Sequence, residues 1–206
     1  RSGCGKTTLL NAIAGLVAPT AGALSVLGGE PRAVRRDIGY MFARDAMIPW
    51  RNARRNVEFG LEIRGVGKAE RREAALGMLE RVNLRSAANK LPWQLSQGMR
   101  QRVALARTWV AHPRLLLMDE PFAALDAQTK AEVRQQFLSL WEQNRQTVVF
   151  VTHDITEALL MADRIVLVKD GRFDLVVETG IERPRHARDL VHSERFRALE
   201  IELTDR

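Results

Sequence analysis

The chain has 206 residues, 46% of them hydrophobic and 28% charged, which suits one globular domain or one domain with a small helical lobe. No run approaches the 18 or more apolar residues of a membrane-spanning helix, and a single cysteine excludes an internal disulfide. The net charge of +7 comes mostly from scattered arginines with few aromatics among them, a pattern of a solvated basic surface rather than a base-stacking one.

The chain opens Arg1-Ser2-Gly3-Cys4-Gly5-Lys6-Thr7-Thr8. This is the end of a G-x-x-x-x-G-K-[ST] phosphate loop without its first glycine, so the chain is expected to begin partway through the loop and to be poorly stable alone. Glycines let backbone N–H groups turn inward around phosphate oxygens, and the following helix aims its N-terminus at the same anion. Lys6 can reach the β and γ phosphates, Thr7 offers a hydroxyl to Mg²⁺, and Cys4 fills a place that needs a small residue. Taken alone, the segment also fits a glycine turn capped by Thr7.

Helix patterns follow at Lys6–Gly15, Lys68–Val82, Gln97–Ala111, Asp126–Glu142 and Ile155–Ala162. Strand patterns fall at Ala23–Leu27, Ile38–Phe42, Leu115–Met118, Thr147–Val151 and Ile165–Val168. Leu115–Met118 and Thr147–Val151 are continuously apolar, as strands buried on both faces are. The alternation predicts an α/β fold with a largely parallel sheet. From about Pro49 to Leu95 the chain is helical, charged and poor in strand signals, so it reads as an inserted lobe. The tail after Gly180 reads as loop plus a short helix.

Two further segments carry chemistry. Arg114-Leu115-Leu116-Leu117-Met118-Asp119-Glu120 is a buried strand ending in two carboxylates, at the strand end where open α/β sheets bind ligands. There Asp119 would hold Mg²⁺ through water and Glu120 would polarise the attacking water; two solvated acids before Pro121 are the plainer reading. Ser96 is an N-cap candidate, and Gly98 allows close backbone approach.

At Leu95-Ser96-Gln97-Gly98-Met99 the sequence resembles the signature of ABC transporter ATPases, and the resemblance extends over nearly the whole chain. Gly3–Thr8 match the Walker A loop, Leu115–Glu120 match Walker B, Ala124-Leu125-Asp126 match the D-loop, and Thr152-His153-Asp154 match the switch region. The resemblance implies a P-loop NTPase fold: a RecA-like core over 1–48 and 112–206, without its N-terminal strands, and a helical signature subdomain over 49–111. It implies Glu120 and His153 as catalytic residues, with Ser2, Gly3, Cys4, Gly5, Lys6, Thr7, Thr8, Asp119, Ser96, Gly98 and Asp126 at the ATP site. Thr7 and Asp119 would serve Mg²⁺.

It also implies two copies packed head to tail, each ATP lying between one copy's phosphate loop and the other's Ser96 and Gly98. The expected partners are a second ATPase subunit, transmembrane permease subunits and a solute-binding protein, with no nucleic acid, at the cytoplasmic face of the membrane. Asp45-Ala46-Met47-Ile48-Pro49-Trp50-Arg51 and Leu125–Thr129 are similar to ATPases of nitrate, sulfonate and taurine importers; molybdate, iron and polyamine importers stay open. Rival readings are a soluble ABC ATPase on nucleic acid, which needs a coiled-coil insertion or tandem motif sets absent here, and a low-turnover regulatory subunit. One departure stands out: Ala43 occupies the position where the family carries a glutamine after the strand. Either Arg44 or backbone and water substitute, or hydrolysis is slower.

Overall fold

A computed structural model describes residues 4–185, 190 and 193–205. The chain forms two compact units, Arg1–Leu9 with Phe150–Arg206, and Leu10–Val149, with α1 (Lys6–Ile13) running from the first into the second.

The larger unit is built on two parallel strands, β1 (Ile38–Met41) and β2 (Leu115–Asp119), in register from Ile38 opposite Leu115 to Met41 opposite Met118. Every residue of β2 is buried, which its unbroken apolar run requires of a strand covered on both faces. Helix α2 (Ala53–Ile63) starts at Asn52, whose side chain accepts from the Arg55 N–H at 2.9 Å. It packs with α3 (Lys68–Arg81) and α4 (Gln97–Trp109), and α4 also lies on β1 and on α5 (Ala127–Asn144). Val103, Leu105, Ala106 and Trp109 of α4 are buried, and Trp109 meets Phe137 of α5 edge to face at 5.5 Å. At Gly39 of β1 a Cβ would stand 2.9 Å from Thr108 Cγ2, so glycine is what lets α4 approach the strand.

In the smaller unit α6 (Ile155–Met161) packs on α7 (Glu194–Thr204), with Thr156 Oγ1 donating to Glu200 Oε1 at 3.0 Å. Strands β4 (Arg164–Lys169) and β5 (Arg172–Glu178) form an antiparallel hairpin through Asp170 and Gly171, both at positive φ. Asp-Gly is the pair that such a two-residue turn favours.

Three expectations change. Ala23–Leu27 is not a strand: only an isolated bridge joins Val26 to Gly29 around Leu27 and Gly28, both at positive φ, and no partner strand lies beside it among the described residues. β3 (Thr147–Val151) is less buried than its apolar run predicts, with Thr147 exposed and only Val151 buried, because it stands third in the order β1-β2-β3, at the edge of the described sheet. The helix expected to reach Ala111 ends at Trp109, as the chain turns at His112 with φ 46° before Pro113.

Candidate nucleotide site

The acidic segment is made by β2. Leu115 to Met118 anchor the strand in the core, which fixes where Asp119 and Glu120 emerge. Asp119 is 9% exposed and Glu120 is half-buried. Burial pushes the Tyr40 phenol up to about 12, and the negative charge of Asp119 adds to the shift. Tyr40 therefore stays protonated and donates its hydroxyl to Asn11 Oδ1 at 3.1 Å.

Glu120 has φ 44°, a left-handed conformation that costs a non-glycine residue about 1 kcal/mol or more. What holds it there is visible on both sides. The Ala123 N–H donates to the Glu120 carbonyl at 3.2 Å, and buried Gln101 of α4 donates from Nε2 to the Pro121 carbonyl. The strained carboxylate thus sits at the end of a buried strand, held by contacts from its own turn and from α4.

Ser96 and Asp126 both cap helices. Ser96 Oγ accepts from the Met99 N–H at 3.3 Å and starts α4; Asp126 Oδ1 accepts from the Thr129 N–H at 3.0 Å and starts α5. That backbone bond, with the Thr129 hydroxyl, holds the Asp126 carboxyl below its usual range. Thr129 joins the two starts, since a Cβ on Gly98 would stand 2.3 Å from Thr129 Cγ2. Gly98 thus has a packing reason inside its own chain: it admits Thr129.

Cys4, Lys6 and His153 belong to the other compact unit. Lys6 Nζ donates to Cys4 Sγ at 3.1 Å, and this bond holds the thiol below its ordinary pKa. Gly5 has φ 91°, open to glycine and strained for other residues, and it leads straight into α1. Thr7 and Thr8 are exposed at that helix start. Ser2 and Gly3 lie outside the described residues. His153 is exposed between two pinned neighbours: Thr152 donates to Glu157 and accepts from the Asp154 N–H at 3.0 Å, while Asp154 Oδ1 caps α6 on the Glu157 N–H at 3.0 Å.

Among the described residues no group of three or more His, Cys, Asp or Glu side chains could hold a metal ion. The hard oxygens of the Asp119 carboxylate and of the Thr7 hydroxyl, each in its own unit, are of the donor class that Mg²⁺ prefers. Ala43 is exposed on the loop after β1 and offers no polar side chain.

The ABC transporter family model matches residues 1–123. The chain belongs to that family. An uncharacterized ABC transporter ATP-binding protein of Methanocaldococcus jannaschii is 46% identical over 186 residues, 89% of this chain and 70% of its own length. The taurine import ATP-binding protein TauB of Escherichia coli K12 is 45% identical over 170 residues, and its Shigella dysenteriae counterpart matches 82% of this chain and 67% of its own length. Among solved structures, the dimeric ATP-binding cassette MJ0796, in a post-hydrolysis state bound to ADP and Pi, superposes with a TM-score of 0.77 at 37% identity. It covers 86% of this chain and 82% of that one. The fold is the P-loop ABC ATPase cassette, and the chain is an ATP-binding, ATP-hydrolysing transporter subunit. No described helix of this ABC subunit is long and apolar enough to cross a membrane.

Reasoning from sequence had missed Gln101 and Asn56. Each is a lone amide in a helical stretch, and only packing reveals that both are buried and bonded to backbone carbonyls. Trp50 is 78% exposed.

Proposed function

We propose that this ABC ATPase drives import of a small solute, probing the γ-phosphate with Lys6 and His153 and activating water with Glu120. The observation that carries this reading is Glu120 itself: a half-buried carboxylate held at φ 44° at the end of a buried strand, directly after Asp119. In the hydrolytic step Glu120 takes a proton from the water whose oxygen attacks the γ-phosphorus while the bond to the β-phosphate oxygen of ADP breaks, and Lys6 and the main-chain N–H groups at Gly5 to Thr8 neutralise charge on the phosphates. Asp119 and Thr7 would hold Mg²⁺, which supplies charge neutralisation on the phosphates when bound.

The importer assignment is supported by 45% identity to taurine import ATP-binding proteins, and a small sulfonate, nitrate or taurine-like anion is the solute class we favour. Residues 49–111 act as the helical signature subdomain and 1–48 with 112–206 as the core. A second copy would supply Ser96 and Gly98 across the nucleotide, with Asp126 beside that interface. The subunit would sit peripherally at the cytoplasmic face, its exposed Trp50 and half-buried Met47 against a permease served by a solute-binding protein. Nucleic acid plays no part in this reading.

The experiment is size-exclusion chromatography with light scattering on the full-length Glu120→Gln protein. With ATP the mass should double, and Ser96→Phe should return it to the monomer. A Glu120→Gln protein that stays monomeric in ATP counts against the shared nucleotide.

A further inference from the structure

Helix α4 touches three segments of the ATPase through side chains outside the motifs. It begins directly after Ser96. Within its first turns buried Gln101 bonds the carbonyl of Pro121, the residue following Glu120. Its neighbour Arg100 donates from Nε to Asp45 Oδ2 at 2.9 Å and from a terminal nitrogen to the Leu95 carbonyl at 3.0 Å. Two turns further, Arg107 donates to the carbonyls of Ala46 at 2.7 Å and Asp45 at 2.8 Å. Burial lowers the Arg107 pKa and the Asp45 carboxylate opposes that shift.

The gripped loop, 42–51, is the one that carries Ala43 and exposed Trp50. Its far side is fixed to α2, where Asn56 accepts from the Ile48 N–H at 2.8 Å and donates to the Arg51 carbonyl at 2.8 Å. Asp45 Oδ1 also accepts from the Met47 N–H at 3.2 Å, so the carboxylate that meets Arg100 shapes the loop from within. Ser96 to Arg107 spans roughly 16 Å of continuous helix, a length over which a helix moves as a rod.

We propose that α4 is a mechanical link with two arms: Gln101 positions Glu120 through Pro121, and Arg100 with Arg107 ties loop 45–48 to the helix start at Ser96. All three are positioning residues. Because the arms end on Asp45 and on backbone carbonyls, an alanine at 43 does not break the link. The link rests on the reading of Ser96 as a nucleotide contact.

Hydrogen exchange with and without Mg·ATP tests the loop arm, using full-length protein that carries Glu120→Gln so that ATP persists. Peptides covering Asp45–Ile48 and Met99–Arg102 should slow together, by about five-fold or more. Adding Asp45→Asn with Arg107→Ala should abolish the slowing at the loop and leave it at the helix start. Arg107→Lys in place of Arg107→Ala, with Asp45 intact, should restore at least about half of it. A loop that still slows in the double variant, or a parent protein whose helix start slows while its loop does not, overturns the link. A parent whose helix start ignores ATP overturns the reading of Ser96 and the link with it, a result separable because no substitution in α4 is involved. For the other arm, Gln101→Met should lower kcat about ten-fold while KM for ATP stays within about two-fold. An unchanged kcat, or a fall matched by a rise in KM, overturns that arm.

Discussion

β1 and β2 run side by side in parallel, yet their ends open into two unlike segments. After β2 the chain turns at once, buried or half-buried, into Asp119, strained Glu120 and buried Pro121. After β1 it runs into an exposed stretch, Phe42-Ala43-Arg44, where the Phe42 ring lies on Tyr40 at 4.6 Å and the first ion pair is that of Asp45 with Arg100. The first end carries a strained backbone and two carboxylates, and its shape is set by the core beneath it and by the Gln101 amide on Pro121. The second is shaped by arginines of α4, an asparagine of α2 and the Asp45 carboxylate within it. Two adjacent strand ends are thus held differently, the first by burial together with one amide of α4, the second by long polar side chains of α4 and α2.

Asp119→Asn gives the largest expected effect on this contrast. A buried carboxylate is a burden on the fold and an asset to the phosphates. Hydrolysis should fall on the order of 100-fold while the melting temperature holds or rises. A melting temperature that drops several degrees would mean that Asp119 serves the fold instead. Next is Gly98→Ala, whose Cβ would press on Thr129 Cγ2. It should cost about 1–3 kcal/mol by denaturant unfolding. Adding Thr129→Ser should recover stability but not ATP-driven dimerisation; recovery of both would leave Gly98 with packing alone.

On the β1 side, Trp50→Ala should shift melting by no more than about 1 °C, since the ring is exposed, while weakening capture by the membrane subunit in a pull-down. Undiminished capture would remove Trp50 from the docking surface. The smallest effect is Ala43→Gln, which should raise hydrolysis about two-fold by restoring an amide near the attacking water. An unchanged or lower rate would show that the loop has adapted to its alanine.

What the sequence revealed follows the same division. β2, α3, α4, α5 and α6 were legible because their apolar periods and caps agree with their burial: Ser96, Asp126 and Asp154 cap the helices their spacing announces. The hairpin was written in Asp170-Gly171 but passed over, because β5 alternates poorly and leaves Phe173 and Val176 exposed. Ala23–Leu27 misled because apolar residues alone do not make a strand without a neighbour to bond. Lys6, Asp119, Glu120 and His153 are legible as candidates through local motifs. The supports of the site were not: Gln101, Arg100, Arg107 and Asn56 act across 20 to 62 positions of sequence, or through backbone carbonyls that no residue type announces.

The most direct test is steady-state phosphate release by full-length wild-type and Glu120→Gln proteins, with ATP binding measured alongside. If Glu120 activates the water, the variant should bind Mg·ATP as tightly as wild type and release phosphate about 100-fold more slowly or less. Release at the wild-type rate by the glutamine variant would contradict the assignment of that residue and of the strained turn built around it.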